Sequence, residues 1–285
     1  MNTTSTAAGL VAGFVVAIAF WAGAKDWLRH SPVLARDNYA GRPVPVAGGI
    51  PIIAATIIVL GVSILVRVGL DHDAAVTRIV FFEVPVAALV IGFGLLGLID
   101  DILGDESRGF RGHLGALGKA RITTGLFKLA GGAAIAVIAL AAHTDSWGWL
   151  ILEAALVSLT ANLANLLDRA PGRLLKVSVV GGGLLVGFGW GHASVAAAAP
   201  TFGAGWAMLP YDLREKLMLG DTGANVVGAI CGFVAVEISS RPVQAAILAG
   251  VVVLNLLSEV VSYSRVINSV APLRWLDHLG RQTGS

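Results

Sequence analysis

The chain is a succession of long apolar runs separated by short segments that hold nearly all of its charge. A membrane-spanning helix needs about 20 predominantly apolar residues. Nine stretches, at 7–24, 47–69, 80–99, 126–142, 148–167, 177–190, 194–209, 223–240 and 243–264, are predicted to be such helices. The sixth and seventh are short and rich in Gly and Ala, so their ends are the least sharply defined. The expected fold is therefore all-α: a polytopic helical bundle in which residues 1–285 form one integral membrane domain. Composition agrees, with 56% hydrophobic and 13% charged residues, where a soluble domain carries roughly 25% charged residues.

Charge then orients the bundle. No Lys or Arg precedes the first apolar run, so the positive leader of a cleavable signal is missing and the first helix is expected to stay. With the N-terminus outside, the linkers after odd-numbered spans and the C-terminal tail, together with Lys128 at the adjoining start of the fourth span, hold 17 of the 20 basic residues. Only Arg67, Arg78 and Arg241 fall on the other side. Cytoplasmic loops are enriched in Lys and Arg, so the C-terminus is expected in the cytoplasm. The one cysteine, Cys231, excludes an internal disulfide framework. Glycine-rich stretches such as "VVGGGLLVGFG" (179–189) read as close helix packing through small residues. No glycine-rich nucleotide loop stands in a suitable context, and no nucleic-acid partner is expected.

Three carboxylate-bearing segments fall on the predicted cytoplasmic face. Asp100 and Asp101 end the third span, "NLANLLD" places Asn162, Asn165 and Asp168 at the end of the fifth, and "LMLGDTGAN" places Asp221 at the mouth of the eighth. A stripe of Asn162, Asn165 and Asp168 at steps of three is expected along one helix face. Carboxylates beside basic loops suit a hard divalent cation and a phosphorylated substrate, because Mg²⁺ prefers one or two carboxylates plus phosphates and water. Glu83, Glu153 and Glu237 are expected at the opposite interface, and His72, His143 and His192 in solvated loops there. No Cys/His cluster argues for zinc.

Four blocks, in order, resemble the polyprenyl-phosphate N-acetylhexosamine-1-phosphate transferases: "GRPVPVAGGI" (41–50), "LIDDILG" (98–104), "NLANLLD" (162–168) and "MLGDTGAN" (218–225). That family joins a nucleotide-activated amino sugar to a polyprenyl phosphate with Mg²⁺, and UMP leaves. The resemblance implies a bacterial plasma-membrane enzyme with its active site on the cytoplasmic face, serving cell-envelope glycan synthesis. It implies Asp221 and Asn165 as ligands of Mg²⁺ (or Mn²⁺), and Asp100, Asp101 and Asp168 as catalytic residues. Asp100 would act on the lipid phosphate, Asp101 would support the metal–phosphate site, and Asp168 would line the nucleotide pocket. Asn162, Asn165, Lys119, Arg121, Lys128, Arg42 and Arg274 are the implied substrate-binding residues. The implied partners are a polyprenyl phosphate and a nucleotide sugar, UDP-linked in the first instance, and a homodimer is compatible with the pattern.

Two departures qualify the resemblance. Where the family often reads Asp-Gly-x-Asp-Gly, this chain reads Asp168-Arg169-Ala170-Pro171-Gly172, so Pro171 replaces an acid. Where the family has a proline followed by a histidine-rich motif, "APLRWLDHLGR" (271–281) offers Arg274 and His278. These leave open a second reading, a homologue that binds lipid phosphate or an envelope partner without turnover. A transporter would want ionisable groups near the bilayer midplane, whereas the acids gather at one face.

Overall fold

The computed structural model describes residues 2–38, 41–70, 76–103, 124–144 and 146–281. Its helices run in the order α1 (Asn2–Arg29), α2 (Gly49–Leu70), α3 (Val84–Leu103), α4 (Thr124–Leu140), α5 (Trp147–Leu167), α6 (Arg173–Phe188), α7 (Ala193–Leu213), α8 (Gly220–Ile238), α9 (Arg241–Ser258), α10 (Tyr263–Ser269) and α11 (Ala271–His278). A π-helical turn, Ile79–Glu83, leads into α3. The protein is a polytopic, all-helical membrane protein. Among the described residues, six stretches are long and apolar enough to cross a bilayer: Thr3–Arg29, Gly49–Leu70, Val76–Leu103, Trp147–Leu167, Gly220–Ile238 and Arg241–Ser258.

Each of the other three expected spans also falls on a helix, with a physical reason for its weaker signal. The apolar part of α4 is Phe127–Leu140. Helix α6 has 16 residues, about 24 Å at 1.5 Å per residue, against a hydrocarbon core of about 30 Å. Helix α7 is built largely of Ala and Gly and is buried along most of its length, so little of it needs a lipid-facing side chain.

Helix α8 is the centre of the bundle, packed against α5, α3, α2, α7 and α6. Its glycines permit this. A Cβ on Gly228 would lie 2.6 Å from Ala161 Cα, and one on Gly232 would lie 2.8 Å from Val157 Cα, so α8 and α5 touch backbone to backbone. Helices α1 and α7 cross as closely: a Cβ on Gly13 would come within 2.1 Å of the Pro200 carbonyl oxygen.

A small antiparallel hairpin joins α1 to α2, with β1 (Ala35–Asp37) paired to β2 (Pro43–Pro45). It continues into a parallel bridge between Val46 and Met218. Ala47 N and Gly48 N donate to Met218 O, Gly49 N donates to Leu219 O, and Met218 N donates to Pro45 O. The Pro–Gly–Gly block is thus bonded through its backbone to the segment that opens α8. Gly49 is required there, since a Cβ would lie 2.4 Å from Gly223 N.

The far end of the bundle corrects the expectation of interfacial acids. Glu83 is 1% exposed and ion-paired with Arg67 at 3.3 Å and Arg78 at 3.5 Å. Glu153 is buried, and Glu237 pairs with His143 Nδ1 at 2.7 Å. His143 packs among Phe81, Phe82 and Phe233 instead of facing solvent. His192 caps α7, accepting from Ser194 N. The third basic residue at this end, Arg241, lies over the Trp149 ring at 5.2 Å. A buried acid is tolerable only when paired, and Arg67 and Arg78 supply that pairing for Glu83. His72 lies outside the described residues.

Candidate active site

The ends of α3 and α5 and the beginnings of α4 and α8 come together at the opposite end. Each chain segment stops there for a local reason. Helix α8 opens at Gly220, whose φ of +71° is a left-handed conformation that favours glycine. A Cβ at Gly220 would lie 2.2 Å from Val46 Cγ1. Helix α5 closes at Asp168, whose N–H bonds the carbonyls of Ala164 and Asn165.

Two carboxylates bind the exposed N–H groups that open α8. Asp101 accepts from Asp221 N and Thr222 N, both at 2.9 Å, and from Thr222 Oγ1 at 2.6 Å. Asp168 accepts from Gly220 N. Helix N-termini carry unsatisfied N–H groups and a partial positive charge, so acids placed there are favoured. Close approach is again made by glycine, because a Cβ on Gly97 of α3 would lie 2.3 Å from Asp221 O.

Beside this cap the other two acids meet a cation. Lys128 Nζ lies 3.1 Å from Asp100 Oδ2 and 2.5 Å from Asp221 Oδ2. Asn165 Nδ2 donates to the same Asp221 oxygen at 3.1 Å. Asp168 stands behind the group, its carboxyl pushed well above the usual carboxylate range by loss of water and by the charges of Asp212, Asp221 and Asp101.

The structure therefore brings together Asp100, Asp101, Asp168, Asp221, Asn165 and Lys128. It does not bring Asn162 to the carboxylates through its amide N–H₂, which donates to Asn255 Oδ1 at 2.7 Å. Arg42 is exposed on the hairpin. Arg274 is not at the cluster either: it is exposed on α11, with Nη1 bonded to Asn268 O at 3.3 Å. Lys119 and Arg121 lie outside the described residues. Sequence reasoning gave no role to Arg36, which donates to the carbonyls of Asp101 (2.7 Å) and Ile102 (3.3 Å) and so caps α3. A cation just after a helix on the same face was its only signal. It also gave no role to Thr222, the third residue of α8.

The donor set fits a hard cation. Two carboxylate oxygens already share one ammonium, and the Asn165 amide, turned over, would add a neutral oxygen. Mg²⁺ uses one or two carboxylates and completes its shell with phosphate and water. Among the described residues there is no group of three or more His, Cys, Asp or Glu side chains placed to hold a metal, so the fit is to a cation that shares its shell with substrate.

No protein-family model matches the chain. A phospho-N-acetylmuramoyl-pentapeptide-transferase of Moorella thermoacetica is 31% identical over 212 residues, 67% of this chain and 66% of that protein. This homology links the chain to the superfamily of that transferase. The chain spans just under two thirds of that relative's length. The superfamily link accords with the helical membrane fold and with the order of the four sequence blocks along the chain.

Proposed function

We propose that the protein is a Mg²⁺-dependent enzyme that transfers a sugar-1-phosphate from a nucleotide sugar to a polyprenyl phosphate, leaving a lipid-linked sugar pyrophosphate and a nucleoside monophosphate. The observation that carries this reading is the convergence of Asp100 and Asp221, from two different helices, on Lys128, with Asn165 bonded to Asp221. Asp221 and Asn165 would hold Mg²⁺, which when bound would neutralise the pyrophosphate charge of the donor. Asp100 would take a proton from, or orient, the acceptor phosphate, and Lys128 would pair with phosphate oxygens once the acids are otherwise engaged. Asp101 holds the opening of α8 in register with α3, which fixes Asp221. Asp168 would line the side toward the donor. The proposed setting is a bacterial plasma membrane crossed nine times, with this site on the cytoplasmic face.

Pro171, in place of the second acid, favours a donor whose base or sugar differs from that of the relative. The test is release of nucleoside monophosphate by purified protein given undecaprenyl phosphate, Mg²⁺ and a panel of UDP- and CDP-sugars. Asp221→Asn should remove Mg²⁺-dependent turnover while leaving the thermal unfolding of the metal-free protein within a few degrees of wild type. No release from any donor would discard the enzyme in favour of a lipid-phosphate-binding homologue.

A further inference from the structure

A small recess lies immediately behind Lys128, walled by α3, α4, α5 and α8 and lined by Phe93, Lys128, Gly132, Ser158, Asn162 and Asn225. Two of its side chains are anomalous. Asn225 is 1% exposed, yet its Nδ2 has no hydrogen-bond partner, and the buried Ser158 Oγ has none either. Buried polar atoms are almost always paired, and an orphan calls for a missing partner. Lys128 also lines the recess, its ammonium held by Asp100 and Asp221. Two buried donor groups of the recess, Asn225 Nδ2 and Ser158 Oγ, are thus without an acceptor.

We propose that this recess is a subsite for a phosphate oxygen of the lipid acceptor, with Asn225 and Ser158 as its neutral donors. The inference rests on the transferase reading above and adds two positioning residues to it. Depth selects the lipid phosphate over the donor. Asn225 follows Asp221 by one turn on the same face of α8, about 6 Å further from the helix opening. A phosphate tethered to a chain in the hydrocarbon reaches the carboxylates from this inner side, whereas a nucleotide arrives from water. The chemistry agrees: amide and hydroxyl donors in a low-dielectric wall bind an oxyanion strongly, without the repulsion that Asp100 and Asp221 would exert. The apolar remainder of the wall, Phe93 and Gly132, suits the neighbourhood of a prenyl chain.

The test is binding, measured by calorimetry on the full-length protein in detergent with a short-chain polyprenyl phosphate and no sugar donor, and with the uncharged polyprenol as the comparison. Asn225→Leu should weaken polyprenyl phosphate binding at least tenfold and Ser158→Ala severalfold, with polyprenol binding and nucleotide-sugar binding unchanged. Thermal unfolding checks that both variants are folded, and should Asn225→Leu fail, Ser158→Ala with Asn225→Ala carries the test. Equal affinity for polyprenyl phosphate in wild type and variants would overturn the proposal and leave the recess to a water molecule. Equal affinity of wild type for the phosphate and the alcohol would overturn it as well. Asn225-dependent binding without turnover would sink the enzyme reading alone, and turnover with Asn225-independent binding would sink this one alone.

Discussion

Asp100 and Asp101 are neighbours in the chain but point about 100° apart on a helix, and the structure separates their roles accordingly. Asp100 faces Lys128. Asp101 turns to α8, where two backbone N–H groups and a hydroxyl bind it. Replacing a cap of this kind costs about 0.5–2 kcal/mol. Asp101→Asn is therefore expected to lower the unfolding temperature by several degrees and to reduce turnover, and added Mg²⁺ should not restore either. Recovery of full activity at high Mg²⁺ would instead make Asp101 part of the metal shell.

Between helices, the glycines decide how near α3, α2 and α8 come. Gly97→Ala places a methyl 2.3 Å from Asp221 O, while Gly61 on α2 has open space around it. Overpacking typically costs about 1–3 kcal/mol. Gly97→Ala should destabilise the protein by that order and impair turnover, whereas Gly61→Ala should change neither. A neutral Gly97→Ala, by thermal unfolding and assay together, would show that α3 and α8 are free to separate without loss of the site.

The terminal helices are held by a different device. Asp277, 5% exposed, receives Arg173 Nε at 2.8 Å and Arg281 Nη2 at 2.7 Å, while Lys176 Nζ donates to its carbonyl at 2.6 Å. Burial alone would raise the Asp277 pKa, but the hydrogen bonds and charges of Arg173 and Arg281 outweigh it and hold the carboxyl below its ordinary value. A depressed acid stabilises the folded state above its unfolded pKa, and that contribution is lost as pH falls through the folded one. Proteolysis of the 263–281 segment should thus stay slow through the ordinary carboxylate range and accelerate only below it. Asp277→Asn should make it fast at neutral pH.

For the bundle as an object in a bilayer, the asymmetry of basic residues predicts one orientation. In a Cys231→Ala background, cysteines introduced beside Arg214 and at Ser146 should label from opposite sides of intact cells, the first only from the cytoplasm. Labelling of both from one side would overturn the nine-span arrangement. The meeting of Asp100, Asp221 and Asp168 was legible in the sequence because each lies at one end of an apolar run, Asp100 and Asp168 closing one and Asp221 opening one, and helix ends at one face have few places to go. The hairpin was not, since three residues per strand leave no periodicity to detect. Nor was the burial of Glu83, whose counterions Arg67 and Arg78 come from separate turns of the chain and read as surface charge. Asn225 escaped because one amide inside an apolar helix carries no pattern beyond its step of four from Asp221.

The bond between the Gly48–Gly49 turn and Met218–Leu219 has a consequence in time. The two partners lie about 170 residues apart, and at roughly 5–20 residues per second of synthesis the first waits about ten to thirty seconds for the second. Until α8 enters the membrane, Asp101 has no helix to cap and the hairpin nothing to extend into. A nascent chain halted before Met218 would hold these groups exposed, and quality-control proteases should recognise it. Assembly of the site thereby waits for α8, and only the helices that follow α8 are added after it.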